Sequence, residues 1–300
     1  MAPLHIESIG QVFSLAGLGE PAHPRFAILA VETINRLAGN YPLDFSLGFY
    51  TIGIMHDLKG EVRCGRRSYD FSKGTMFFTS PNQLIGHSLG ALQQAKGWLL
   101  FFDRSYLARH PLSKKVQTYG FFDYAIDEAL HLSEREEASL QHLLENIHRE
   151  YQQPIDRHSR PVVLANLELL LTYTDRYYQR QFITRNEVEV DFVVEFEHRL
   201  ETYFRHTDLE KHGAPSSDYF AQQMHLSPKY LSDKLKVLTG KTMQEHIHFK
   251  LVENAKVYLK EAELSVSEIA YRLGFEYPQY FSRFFKKKVG ISPTDYRVLN

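Results

Sequence analysis

Two short runs of polar and basic residues near the end of the chain carry its strongest chemical signal. Ala221, Tyr230-Leu231-Ser232, Lys236 and Gly240 match Ala270, Tyr280-Phe281-Ser282, Lys286 and Gly290. The offset is 49 at the alanines and 50 afterwards, so the second copy holds one extra turn residue. In that copy Phe281, Phe284 and Phe285 recur at core spacing, which leaves Gln279, Ser282, Arg283 and Lys286 to Lys288 on the outer side of a helix. Such a surface of ammonium, guanidinium, amide and hydroxyl groups donates hydrogen bonds and neutralises anions; its chemistry is recognition of a polyanion.

Each copy predicts helix, tight turn, helix. The first spans Ser217–His225, then Ser227 as N-cap and Pro228 as first helical residue, with the helix running to about Leu238. The second opens on the capping box Ser265-Val-Ser-Glu268, turns at Gly274-Phe275 and continues through Pro278–Val289. Small alanines at 221 and 270 suit a place where a crossing helix approaches closely. Between the copies, Thr242-Met-Gln-Glu245 caps a helix to about Glu261, roughly 29 Å long at 1.5 Å per residue. That is near the ~34 Å of one duplex turn, so the outer helices could enter successive major grooves on one face of DNA. Upstream, the chain is helical from Val188, with Val190, Phe192 to Val194, Phe196 and Leu200 as its apolar positions, until Lys211-His-Gly-Ala-Pro215 breaks it.

Bulk properties agree with this reading. A chain of 300 residues exceeds one small core and predicts two domains. The net charge of −1 hides an asymmetry, for residues 212–300 hold 13 Lys and Arg against 9 Asp and Glu, and the remainder is acidic. Cys64 is the sole cysteine, which excludes an intramolecular disulfide and a cysteine-rich zinc site. The N-terminus lacks a basic segment and a long apolar core, and no apolar run reaches the roughly 18 residues of a membrane span. The expected location is the cytoplasm.

The C-terminal motifs resemble those of the AraC family of regulators. The matching residues are Leu226-Ser-Pro-Lys-Tyr-Leu231, Lys236 and Gly240, then Lys250-Leu251, Ala255 and Leu259, then Ser267-Glu-Ile-Ala270 and Gly274-Phe275. The run Tyr280-Phe-Ser-Arg-Phe-Phe-Lys286, Gly290-Ile-Ser-Pro293 and Tyr296-Arg297 completes the resemblance, which covers about residues 187–300. It implies a seven-helix domain with two helix-turn-helix units, the second helix of each entering the major groove of double-stranded DNA. The family's base-contacting positions fall on Lys229, Ser232 and Asp233 in the first reading helix and on Gln279, Ser282 and Arg283 in the second. Lys236 and Lys286 follow on the same helices. Arg283 suits guanine O6 and N7, Gln279 suits adenine N6 and N7, and Asp233 can accept from cytosine N4 although it repels phosphate. Lys250 stands where the family usually has arginine, keeping the charge but losing bidentate geometry.

The N-terminal half reads differently. Phe45–Met55 is rich in aromatic and β-branched residues, and short strands follow around Glu61–Phe71, Thr75–Thr79 and Trp98–Phe102, which suggests a small sandwich or barrel. Near Ser133 the period changes: the capping box Ser133-Glu-Arg-Glu136 precedes Leu140, Leu143, Leu144 and Ile147, and a second helix from about Pro161 to Tyr178 bears Leu164, Leu167, Leu170 and Leu171. These leucines fit either the domain core or a helix pair between subunits. The stretch Tyr69-Asp-Phe71, Gly74-Thr-Met-Phe-Phe78, Ser80-Pro81-Asn-Gln83 and Gly97-Trp98-Leu-Leu-Phe-Phe102 resembles the cupin-like sensor domain that AraC-type regulators often carry. In metal-binding cupins a glycine is followed by His-x-His and a glutamate; counting from Gly60 puts Arg66 and Ser68 at the histidines, Ser72 and Lys73 near the glutamate, and Ile85 at the later histidine. No imidazole–carboxylate set remains, so no metal or other cofactor is expected. His56 and His87 are expected in the scaffold; Arg66 and Arg67 either lie on the solvated face, the favoured reading, or pair an anionic effector inside the barrel, for which Arg66 and His56 are the candidate contacts.

The fold expected is two-domain α+β. A cupin-like β-barrel sensor domain occupies residues 1–130, a helical dimerisation region 131–186, and an all-α domain with two helix-turn-helix units 187–300. The function expected is a sequence-specific transcription regulator, not an enzyme, controlled by a small-molecule effector, forming a homodimer and contacting RNA polymerase if it activates. The alternative is a cupin-fold metalloenzyme, an isomerase or dioxygenase, which requires the missing ligands. A third reading makes the β-domain a dimerisation and polymerase-contact module only.

Overall fold

The computed structural model describes residues 4–35, 44–56, 62–64, 67–69, 74–86, 96–184, 186–261 and 263–299. Arg66 and His87 lie outside them. The chain forms two compact units, Met1–Gln181 and Phe182–Asn300.

The first unit is built on strands β1 (Leu4–Ile6), β2 (Phe26–Ala30), β3 (Asp44–Leu47), β4 (Tyr50–His56), β5 (Val62–Cys64), β6 (Arg67–Tyr69), β7 (Thr75–Thr79), β8 (Leu84–Gly86), β9 (Lys96–Phe102) and β10 (Leu130–His131). They make a five-stranded sheet in the order β10-β7-β4-β9-β2, a three-stranded sheet in the order β1-β3-β8, and the hairpin β5-β6. Among the described residues these sheets stay open, and no closed barrel is formed. The stretch read as one strand from Phe45 to Met55 is two: the chain bends at Gly48-Phe49, so β3 joins the small sheet and β4 the large one. The Gly48 amide donates to the Ile6 carbonyl (2.8 Å) and that of Asn82 to Leu47 (2.7 Å), fixing the bend from both sides.

Both faces of the large sheet are covered, which explains the unbroken apolar run Trp98–Phe102. Met55, Leu99 and Phe101 pack with Ile6, Leu47 and Ile85 of the small sheet, beside helix α1 (Ile9–Leu15). Phe78 and Phe102, on the opposite face, meet Phe121 and Phe122 of the 3-10 turn Gly120–Asp123. Helices α2 (Val31–Asn35) and α3 (Leu112–Lys115) are short connections, and α4 (Glu134–Tyr151) and α5 (Ser159–Thr184) form a hairpin. Their leucines are core: Leu140, Leu144, Ile147, Leu164, Leu167, Leu170 and Leu171 are buried, and Arg180 pairs with Glu136 at 2.9 Å to tie the two helices. The opposite stripe of α5 stays outside, with Val162 40% and Leu169 44% exposed and Ala165 and Thr172 between and beyond them.

The second unit is helical: α6 (Asn186–His206), α7 (Leu209–His212), α8 (Ser217–Met224), α9 (Pro228–Thr239), α10 (Met243–Lys260), α11 (Val266–Arg272), α12 (Pro278–Val289) and α13 (Pro293–Leu299). One core joins them, from Phe196 and Leu200 of α6 through Phe220, Leu231, Leu235, Leu251 and Ile269 to Phe281 and Phe285. No helix among the described residues is long and apolar enough to cross a membrane.

Candidate nucleic-acid interface

The repeat read from the sequence is a repeat of hydrogen bonds. In the first copy the Leu226 amide donates to the Ala221 carbonyl (2.9 Å); in the second the Phe275 amide donates to that of Ala270 (3.0 Å). Each bond closes the first helix of a pair and reverses the chain. The residue before it takes the left-handed conformation, His225 at φ 55° in one copy and Gly274 at φ +82° in the other. The extra residue falls after this point, where Leu226-Ser227 becomes Phe275-Glu276-Tyr277. Ser227 caps α9 by accepting from the Tyr230 amide (3.2 Å), whereas Tyr277 gives α12 no side-chain cap.

Both second helices then follow one plan. Proline stands at the first position, and Gly240 and Gly290 end them in the left-handed region, each donating its amide 2.9 Å to the carbonyl of Lys236 or Lys286. The next helix is capped in turn, α10 by the Thr242–Glu245 capping box and α13 by Ser292, which accepts from the Asp295 amide (3.1 Å). These capping bonds hold the Glu245 carboxyl below its ordinary range, as the backbone of Ser265 does for Glu268 at the start of α11. Gly274 has a further constraint. A Cβ there would lie 2.7 Å from the Leu209 carbonyl oxygen and 2.8 Å from Gly213 Cα, so the break after α7 seats directly on the second turn.

With Leu231 and Leu235 turned inward, α9 presents Lys229, Ser232, Asp233 and Lys236 along one outer stripe at helical spacing. With Phe281 and Phe285 turned inward, α12 presents Gln279, Ser282, Arg283 and Lys286 at the equivalent positions. Lys229, Lys236, Gln279, Arg283 and Lys286 are exposed; Ser232, Asp233 and Ser282 are half-buried. The stripes differ in charge. On α9 the Lys229 ammonium lies 3.1 Å from the Asp233 carboxylate and donates to it. On α12 Arg283 and Lys286 to Lys288 form no ion pair among the described residues, so that helix offers its full positive charge.

Several neighbours were not legible as site residues. Tyr280 occupies the position of Tyr230 in the repeat, yet Tyr230 is 8% exposed and Tyr280 51%. Tyr230 is covered by Phe182, whose ring meets it edge-on at 5.1 Å, while Tyr280 meets Tyr277, also exposed, at 5.6 Å. Two phenol hydroxyls therefore stand at the start of α12. Lys250 forms an ion pair with Glu201 of α6, whose carboxyl this contact holds below its ordinary range. Arg297 is structural, with its guanidinium donating to the carbonyls of Leu259 (3.2 Å) in the last turn of α10 and Leu264 (2.6 Å) beyond it. His246 contacts Thr239 Oγ1 at 2.8 Å, and burial holds its imidazole below the ordinary value.

In the first unit His56 ends β4 opposite Lys96, and Arg66 lies outside the described residues. The cupin metal positions fall mostly on that same stretch, and Ile85 is a buried member of β8. Among the described residues no group of three or more His, Cys, Asp or Glu is placed to hold a metal ion.

Two helix-turn-helix units joined by one helix define the class of the C-terminal unit. Residues 220–298 match the family described as helix-turn-helix domain. The transcriptional activator RhaS of Escherichia coli is 37% identical over 91 residues, 30% of this chain and 33% of RhaS. The activator RhaR of an Enterobacter species is 35% identical over 78 residues, 26% of this chain and 28% of RhaR. The chain thus spans about a third of the length of the curated relatives it matches. Among solved structures, the C-terminal domain of the two-component response regulator yesN from Fusobacterium nucleatum is 30% identical, covering 34% of this chain and 96% of that one, with a TM-score of 0.30. The chain carries at its C-terminal end a helix-turn-helix domain similar to those of these activators.

Proposed function

We propose that the protein is a sequence-specific DNA-binding transcription regulator that reads duplex DNA with α9 and α12. The observation that carries this is the pair of equivalent outer stripes, Lys229, Ser232, Asp233, Lys236 and Gln279, Ser282, Arg283, Lys286, on helices that the same turn geometry presents twice. Lysines on each stripe meet phosphates, while Arg283 and Gln279 read purine edges in the major groove. The test is selection from a random duplex library by the full chain, followed by titration at several salt concentrations. The expected result is a bipartite site with affinity falling steeply as salt rises, by a slope of about −0.9 per neutralised phosphate. An unchanged preference after Arg283→Ala combined with Gln279→Ala refutes the reading.

The proposed division of labour keeps residues 1–130 as a cupin-like sensor, 131–186 as the dimerisation region and 187–300 as the DNA reader. Support for a small-molecule effector between the two sheets comes from Thr51 and Thr79. They are register partners on the face turned to the small sheet, and among the described residues their buried hydroxyls find no hydrogen-bond partner. Such groups favour a polar guest; Arg66 and His56 stay candidate contacts. A homodimer would form through the outer stripe of α5, since the leucines are used in the core. RNA polymerase is the further partner if the protein activates. Sedimentation of the full chain with Leu169→Glu tests the dimer, and an unchanged dissociation constant removes α5 from it.

A further inference from the structure

A cavity of about 240 Å³ opens on the helix-bearing side of the large sheet, between the start of β2, the 3-10 turn Arg104–Leu107 and the α4–α5 hairpin. Its walls are rings. Phe26 stacks on Tyr106 with centroids 5.0 Å apart, His23 meets Tyr106 edge-on at 5.0 Å, and Tyr151 meets Phe26 edge-on at 6.0 Å. The Ala22 amide donates to the Tyr151 hydroxyl (3.0 Å) and fixes that ring. Burial, with Arg25 and Arg160 nearby, pushes the His23 imidazole below its ordinary value, so it is a neutral wall at pH 7. Burial also raises the Tyr106 phenol to about 12, which keeps it protonated.

Two opposite charges stand among these rings, Glu150 at the end of α4 and Arg160 at the start of α5. Arg160 is pre-positioned: Nε and Nη2 donate to the Tyr106 carbonyl (3.1 and 2.9 Å), and Nη2 also donates to that of Ala108 (2.6 Å). Both acceptors are neutral carbonyls, so the charge is held but not cancelled, and among the described residues Nη1 has no hydrogen-bond partner. Glu150 forms no ion pair with Arg160 or with another cation among the described residues. An apolar pocket with one fixed cation and one separate carboxylate complements a molecule carrying both charges on an apolar body.

We propose that this cavity binds a small zwitterion of the α-amino acid class with an apolar or aromatic side chain. The carboxylate pairs with Arg160, the ammonium with Glu150, and the apolar side chain lies against His23, Phe26, Tyr106 and Tyr151. The fixed guanidinium costs little ordering on binding. The site is separate from the space between the sheets and does not depend on the DNA reading. Because Arg160 and Val163 belong to the first turns of α5, an occupant braces the base of that helix.

The test is calorimetric titration of the full chain with L-phenylalanine and L-leucine as probes, and with 3-phenylpropionate and phenethylamine, which keep one charge each. For ligands of this size the expected Kd is on the order of 0.1–1 mM. Each single-charge analogue is expected to bind the wild type about tenfold more weakly, the effect of one lost charge-assisted hydrogen bond. Glu150→Gln should weaken L-phenylalanine and phenethylamine about tenfold and leave 3-phenylpropionate unchanged, and Arg160→Gln should weaken L-phenylalanine and 3-phenylpropionate and leave phenethylamine unchanged. Arg160 also ties backbone, so Glu150→Gln with an unchanged melting temperature is the deciding variant. The proposal is overturned if neither amino acid binds, if either analogue binds as tightly as L-phenylalanine, or if Glu150→Gln leaves L-phenylalanine binding unaltered.

Discussion

Replacing Gly274 by alanine separates two costs that glycine usually hides together. Gly240, Gly274 and Gly290 all have positive φ, at +77°, +82° and +94°. An L-residue in that region costs roughly 1–2 kcal/mol, offset by about 0.4–1 kcal/mol because the unfolded chain loses freedom. At Gly240 and Gly290 nothing among the described residues lies within 4 Å of the new Cβ, so the net loss there should be about 1 kcal/mol. At Gly274 the methyl group would also press on Leu209 and Gly213 backbone at 2.7 and 2.8 Å, atoms that no rotamer change can move aside. Overpacking of this kind adds about 1–3 kcal/mol, bringing the total to about 2–4 kcal/mol. Urea unfolding of the full chain followed by far-ultraviolet circular dichroism gives the comparison, and amide hydrogen exchange assigns the loss to α11 and α12. With a urea slope of about 1–3 kcal/mol per molar, the Gly274→Ala midpoint should fall below that of Gly240→Ala by about 1 M. Equal midpoints for the two variants would refute the claim that the break after α7 is seated on the second turn.

Three further outcomes follow from the reading stripes and the core. Arg283→Ala should weaken the preferred DNA site by about 1–3 kcal/mol and relax choice at one base pair, read by competition with single-base variants. Asp233→Ala releases Lys229 from its ion pair, so affinity for unrelated duplex should stay equal or rise while preference at one position blurs; a uniform loss across sequences would make Asp233 structural. His246 is held below its ordinary value of 6.5 by burial, so the unfolded chain takes up its proton first as pH falls. Its contribution is therefore complete above about pH 6.5 and is lost as pH falls from there through the lower folded value. Melting of the C-terminal unit at pH 7.5 and 5.5 should show this drop, and His246→Gln should shrink it.

The C-terminal unit was legible because its rules are local and appear twice. Ser227-Pro228, the Thr242 and Ser265 capping boxes and the closing glycines each act within a few residues, so spacing alone located α8 to α12 to within two residues. Asp233 shows where this stopped. Its i,i+4 relation to Lys229 was visible, but which partner the carboxylate takes depends on side-chain geometry. In the first unit, β1 passed unread because Leu4-His-Ile6 becomes a strand only by parallel pairing with Phe45, Ser46 and Leu47. The bend at Gly48 was hidden because both flanking segments are equally rich in strand formers. For the leucines of α4 and α5, periodicity gave the face but not whether the core or a second subunit would cover it; they are buried within the chain.

Helix α10, 18 residues and about 27 Å long, runs without interruption from the Thr242 cap to Lys260. Its length therefore acts as a phase as well as a distance. One inserted residue would push the second half of the repeat forward by about 1.5 Å and rotate it by about 100°, turning its outer stripe away from that of the first half. The smallest insertion that restores the facing to within about 20° is about seven residues, and it lengthens the gap by about 10 Å. A lineage carrying this linker can drift in composition but not in length. New spacings that keep the two stripes in phase begin about two helical turns away.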